Sequence, residues 1–247
     1  MKRLFAYRLL LTIVALSAAT AAYAQPDDTA GPWSISFGLG WDKSISGNIN
    51  SGGIGTINGQ AVVILKNTYE DVYGTGLHLR GGVGYMLDEE TEVRGDFIFQ
   101  SLDADLTRLG DIGVSNLYGQ YTDYQSFGLD VGLRRYIPLK PALSAYGEGA
   151  LGLGFVDKTD ITLVAPTANL SGKSNDFYDQ TVSFAFGGNI GVLIKNTPRF
   201  GAFAQVGLRW TSGMAEIDDL EGTGLETIND KSARWTFPFI AGVRVGF

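Results

Sequence analysis

The feature that most constrains this chain is a side-chain alternation with the polarity of a soluble sheet reversed. In WSISFGLGWD, Trp33, Ile35, Phe37, Leu39 and Trp41 fall on one face and Ser34, Ser36, Gly38 and Gly40 on the other. Period two is the mark of a strand. Leu77, Leu79, Val83 and Tyr85 likewise alternate with His78, Arg80, Gly82 and Gly84, and Val93, Phe97 and Phe99 with Glu92, Arg94, Asp96 and Gln100. The pattern returns around Ser126–Arg134, Leu143–Phe155, Val182–Ile194, Phe200–Trp210 and Trp235–Phe247, eight segments in all. The bulky face is apolar; the face with charges is rich in glycine.

That pairing of faces selects among β architectures. A soluble ligand-binding barrel lines its interior with apolar residues and turns polar ones to water. A sandwich hides an apolar face between sheets, but does not interleave Arg and Glu with glycine on the other. Eight strands enclose a bore that side chains can fill, so small residues belong inside, leaving room for a few long ones, and the bulky face belongs against lipid. The expected fold is therefore all-β, an eight-stranded antiparallel up-and-down transmembrane barrel. Each segment reaches the roughly 9 to 11 residues needed to span.

The connections alternate in the same sense. DEET, PLKP and NTPR are tight turns, whereas Lys43–Asp71, Asp103–Thr122, Lys158–Asp179 and Gly213–Ala233 are long. Short links on one rim and long ones on the other are the arrangement of outer-membrane barrels, with periplasmic turns and extracellular loops. Within the first long link, ING before QAVVIL predicts a hairpin over Ile57–Leu65.

Lys2, Arg3 and Arg8 precede the apolar run Leu9–Ala19 and the small-residue site Ala22-Tyr23-Ala24, which predicts a cleaved signal peptide. The expected organisation is a signal peptide at 1–24, a short periplasmic segment at 25–32 and the barrel at 33–247. Removing the signal takes away three basic residues and no acidic one, moving the formal charge from -7 to -10. An acidic chain argues against nucleic acid as a partner. The absence of cysteine excludes disulfides and thiolate metal sites.

With the signal, the strands, the two kinds of link and the final Phe247 in view, the sequence resembles the small outer-membrane β-barrel proteins of Gram-negative bacteria, the OmpA/OmpX type, without a periplasmic domain after the barrel. The resemblance implies that the barrel-assembly machinery reads Val243, Val245 and Phe247, and that the barrel meets outer-membrane lipids and lipopolysaccharide as a monomer.

Two groups of residues stand out as sites. Arg80, Arg94, Asp96, Asp130, Arg134, Glu148, Arg209 and Arg244 take the inward register and are expected to form a lumen charge network, either an ion-pair plug or a selectivity lining. Arg80 is expected to pair with Asp96, Asp130 or Glu148. Trp33, Trp41, Tyr85, Phe155, Trp210 and Trp235 fall outward near strand ends, where aromatic rings favour the lipid–water interface. The lone histidine, His78, takes the inward register, away from lipid, and no nucleophile motif accompanies it. EIDDLEGTGLE, with Glu216, Asp218, Asp219, Glu221 and Glu226, lacks the spacing of a calcium loop. These features predict no catalytic residue, metal or cofactor, and a structural or surface-interaction role carried by the long loops. A narrow solute channel and a lipid-modifying enzyme are the alternatives.

Overall fold

The computed structural model describes residues 31–57, 59–168, 170–217, 224–229 and 232–247. The signal peptide expected at 1–24, the expected periplasmic segment before Gly31, and Asp218, Asp219 and Glu221 of the acidic loop lie outside the described residues.

A closed ring is formed by β1 (Trp33–Asn50), β5 (Gly76–Met86), β6 (Thr91–Leu102), β9 (Tyr124–Lys140), β10 (Leu143–Val156), β13 (Thr181–Lys195), β14 (Phe200–Thr211) and β16 (Arg234–Gly246). Each pairs antiparallel with the next, and β16 returns to β1 with Ser34 opposite Gly246 and Trp41 opposite Phe239. Closure satisfies the backbone without a free edge, as a spanning sheet requires. Among the described residues no helix is long and apolar enough to cross a membrane; the crossing is made by strands.

The long links are folded as well. They carry β2 (Gly53–Ile57), β3 (Gln60–Ile64), β4 (Asn67–Thr68), a helical turn α1 (Tyr69–Val72), β7 (Leu106–Ile112), β8 (Ser115–Tyr121), β11 (Thr159–Ala165), β12 (Leu170–Asp179) and β15 (Ala215–Glu216). β4 joins β1 as the ninth strand of the first sheet, and a second, seven-stranded sheet runs β15-β12-β11-β8-β7-β3-β2. The single eight-stranded barrel, and with it the likeness to the simple OmpA/OmpX type, is thus corrected: among the described residues there are sixteen strands in two sheets. These extra strands are short and their alternation is broken by bulges, as between Arg108 and Gly110, so the links read as loops. The hairpin expected over Ile57–Leu65 is part of this sheet. It begins earlier, at Gly53, and turns through Gly59 at φ +75°, a left-handed geometry that suits glycine.

The second sheet follows the ring's circular order and encloses its own apolar core above the mouth. Ile49, Val62, Tyr69, Val72, Leu102, Leu117, Val156, Phe177 and Tyr178 belong to that core. The outer segment of β1 reaches it by a bulge between Ser44 and Ser46. A one-residue slip exchanges the two faces of a strand, so the inward register passes from Ser44 to Ile49, which is fully buried. Gly47, at φ +116°, lies in this bend. One edge of the cap ends on the two-residue β15. The other edge, β2, is flanked by the segment of Leu225 and Ile228, where the Ser51 N–H donates to the Ile228 carbonyl at 2.6 Å. Short or covered edges resist pairing with another chain.

Candidate functional site: the filled lumen and its cap

Within the ring, polarity is inverted relative to the cap. Leu129, Val131, Leu133, Leu151, Val182 and Ile190 point outward and are exposed, while the charged side chains are inside. A band of this kind is stable only against hydrocarbon. The protein is a transmembrane β-barrel.

The structure brings the inward charges together. The Arg80 guanidinium donates to Asp96 at 2.7 Å and to Glu148 on its other side. Arg94 donates to Asp96 at 2.8 Å and to the Ser36 hydroxyl at 2.6 Å. Arg134 donates to Glu148 at 2.6 Å and stacks over Tyr146, 4.1 Å from the ring centroid. Asp130 accepts both terminal nitrogens of Arg209 rather than pairing with Arg80. Glu92 accepts from Ser34 (2.6 Å), Tyr136 (2.7 Å) and Arg244 (3.1 Å). Apart from Arg244, half-buried toward the short-turn rim, these charged groups are buried. Glycine makes the room: a Cβ at Gly82 would meet the Asp96 carboxylate and lie 2.7 Å from an Arg94 nitrogen.

Two further layers of the lumen were not read from the sequence. Toward the short turns, Tyr136, Tyr146, Leu193, Phe203 and Ile240 form an apolar cluster inside the barrel. Toward the cap, Asp42, His78, Gln100 and Arg234 form a polar layer. Gln100 donates to Asp42 and accepts from Arg234 at 3.1 Å, and Arg234 stacks over Tyr124 at 3.8 Å. Parity could have found both charges, since Asp42 continues the series Ser34, Ser36 and Arg234 precedes Thr236 by two; each sits where the strand was taken to end.

His78 lies in that layer, 2% exposed, its Nδ1 3.6 Å from an Asp42 oxygen and beyond hydrogen-bond reach. It is roofed by the cap core and walled from lipid by the strands. The small cavity beside Gln100, Ser126 and Arg209 has a volume of about 10 Å³, room for about one water. No group of three or more His, Asp or Glu side chains suited to a metal is present among the described residues.

The aromatic residues face outward in two clusters. Trp33 meets Tyr85 edge-on at 4.8 Å at the short-turn end, and Trp41 stacks on Phe239 at 4.5 Å toward the cap. Trp210 and Trp235 flank Phe186 at 5.1 and 5.6 Å, and Phe155 is exposed on the same side. Phe247 is exposed, its N–H donating to the Trp33 carbonyl at 2.9 Å, while Val243 and Val245 are half-buried on β16.

In the cap, burial pushes the hydroxyls of Tyr69, Tyr73 and Tyr121 well above the ordinary tyrosine value. Each donates to a fixed acceptor: the Ser232 carbonyl (2.9 Å), the Thr122 carbonyl (3.1 Å) and the Asn50 side chain (3.1 Å). α1 is fixed by a capping box in which Thr68 and Asp71 bond each other's backbone.

No family model matches the sequence, and no curated protein sequence does. Among solved structures, neisserial surface protein A is similar at 13% identity over 88% of this chain and 99% of its own, with a TM-score of 0.45. The outer membrane protein OprG from Pseudomonas aeruginosa is similar at 12% identity over 89% and 97%, with a TM-score of 0.46. The protease OmpT from Escherichia coli is similar at 8% identity over 90% and 98%, with a TM-score of 0.39. None of the three reaches 0.5, so the reading of the site rests on this chain's own geometry.

Proposed function

We propose that the protein is a non-conducting outer-membrane barrel whose work is to hold a folded, acidic cap outside the cell for contact with surface partners. The observation that carries this is the filled lumen. From the short turns upward it holds an apolar cluster, a layer of paired charges, a second polar layer and the cap core. Solute passage would require breaking the buried pairs, and removing one member of such a pair costs about 3–5 kcal/mol.

The lumen charge network is in this reading a structural core. The two aromatic clusters mark the membrane interfaces, about 26 Å apart along the eight residues from Trp33 to Trp41 at roughly 3.3 Å per residue, and less after tilt. The barrel inserts as a monomer with Val243, Val245 and Phe247 read by the assembly machinery, after a signal peptide at 1–24 is removed. The burial of His78 favours a non-enzymatic role, since a lipid substrate does not reach it.

The partner chemistry follows from the cap's charge. Its base and flanks present Glu70, Asp71, Asp103, Asp105, Asp123, Asp157, Asp176 and Asp179, against Lys43, Lys66, Arg108 and Lys158. Such a surface favours cationic partners, or lipopolysaccharide phosphates through bridging cations. Val114→Cys and Ile54→Cys, at two strongly exposed cap positions, should react with an impermeant maleimide on whole cells, and Pro141→Cys at a short turn should not. Labelling at Pro141 with silence on the cap would reverse the orientation and end the proposal.

A further inference from the structure

The short-turn mouth of the barrel is a concave vestibule that the plugged lumen does not use. It has a volume of about 440 Å³, within the size range of small-molecule sites. The cup is blind, because Tyr136 and Leu193 in its lining belong to the apolar cluster that fills the lumen behind it. Three cations line it, Lys140, Lys195 and Arg244. Each continues the inward register of its strand: Lys140 is in phase with Tyr136, Lys195 with Leu193 and Arg244 with Ile240.

The sheet places the three cations on every second strand, β9, β13 and β16 of the series β9-β10-β13-β14-β16. Gly201 of β14 is opposite Lys195 on one side and Arg244 on the other, so these two share a register row and the residue between them has no side chain. Leu143 of β10 is opposite Lys140 and Ile194, which puts Lys140 on the adjacent row. Cations two strands apart are separated by roughly 10 Å at the backbone, a span that the flexible stems of the lysines can close. Arg244 is the fixed member. It donates to Glu92 at 3.1 Å and lies 5.9 Å from the Tyr136 ring centroid, and its Nε is buried without a partner among the described residues. Lys140 and Lys195 are exposed and have no ion-pair partner among the described residues, and Glu89 is the one carboxylate side chain in the lining. The vestibule therefore holds a positive excess in a chain whose formal charge is negative.

Like charges gathered in one cup call for an anion that joins them. A phosphate monoester brings about -1.5 to -2 charge and three acceptor oxygens, enough to meet all three cations together, whereas a carboxylate offers a single charge and two oxygens. The remaining volume accommodates a small organic body against Met86 and Leu193. We propose that the short-turn vestibule binds a phosphate monoester through Lys140, Lys195 and Arg244. The same group can arrive on a soluble ester or as the headgroup of a lipid such as phosphatidic acid. Only the compartment that the mouth faces rests on the orientation proposed above, so a failure here leaves the filled lumen untouched.

The full chain refolded in an uncharged maltoside detergent should bind glycerol 3-phosphate saturably in calorimetric titration, and its carboxylate counterpart glycerate about tenfold more weakly or worse. Lys140→Gln/Lys195→Gln alters only exposed rim side chains; it should weaken glycerol 3-phosphate by about tenfold or more and leave the midpoint of urea unfolding unchanged. In a parallel arm the chain is released from phosphatidylcholine bilayers containing phosphatidic acid, and native mass spectrometry counts the phosphatidic acid retained, which should fall in the same variant if the ester is lipid-borne. A response to the two lysines in either arm supports the site and identifies the source of its ligand. No specific binding in both arms, binding unchanged in Lys140→Gln/Lys195→Gln, or equal affinity for glycerate would overturn the proposal.

Discussion

Asp130 distinguishes this arrangement of the lumen most sharply, because among the described residues it has a single ion-pair partner, Arg209. Both terminal nitrogens of Arg209 reach it, so Asp130→Ala leaves a buried guanidinium without a carboxylate and should cost near the upper end of the roughly 3–5 kcal/mol for breaking such a pair. Arg80→Ala should cost less, about 3 kcal/mol by the same scale, because its partners keep other cations: Asp96 retains Arg94 at 2.8 Å and Glu148 retains Arg134 at 2.6 Å. Urea unfolding of the barrel refolded into phospholipid vesicles, followed by tryptophan fluorescence, reads these values. Across double-mutant cycles, Arg209 with Asp130 should couple by about 2–3 kcal/mol, whereas Arg80 with Asp130 should be additive within about 0.5 kcal/mol. Coupling of Arg80 to Asp130 with additivity for Arg209 would refute the pairing and the strand register that produces it.

Gly82→Val should sharply lower folding yield, since its Cβ enters the space of the Asp96 carboxylate, whereas Gly81→Val, whose Cβ meets nothing within 4 Å, should leave it unchanged; equal yields would contradict the assignment of faces. Because burial raises the hydroxyls of Tyr69, Tyr73 and Tyr121 above 10.0, an unfolded cap releases these protons first. Their contribution to stability is intact below about pH 10 and is lost as the pH rises above it, so their tyrosinate absorbance should appear only with cap unfolding, and a simple titration at pH 10 would show the rings to be exposed. Deleting Phe247 should lower the amount of inserted protein more than its synthesis, measured by outer-membrane fractionation; normal insertion would make the final residue incidental.

The spanning part of the fold was legible because hydrocarbon imposes one rule on every strand. Alternation placed Arg80, Arg94, Asp96, Asp130, Arg134, Glu148 and Arg209 inside and the tryptophans outside. Pair identity was not legible, because strand stagger decides heights: Arg80 meets Asp96 and Glu148, while Asp130 is taken by Arg209. The cap was missed for a different reason. Above the membrane the inward face is apolar, so Ile49, Leu102, Tyr124 and Val156 change the sense of the pattern at each strand end, and bulges at Ser44/Ser46 and Arg108/Gly110 shift its phase. Leu193, Phe203 and Ile240 escaped notice because an apolar residue on the polar face looks like an irregularity until it is seen packed against Tyr136 and Tyr146.

Whether the lumen is closed by its own side chains is decided by single-channel recording of the refolded full chain in planar bilayers. A lumen filled by its own side chains leaves the membrane silent over the voltages the bilayer tolerates, with discrete steps appearing only when the core is hollowed by Arg80→Ala, Arg134→Ala and Glu148→Ala together. Sustained, uniform conductance steps from the unaltered protein would contradict it, and would mean that the paired charges line a water-filled path.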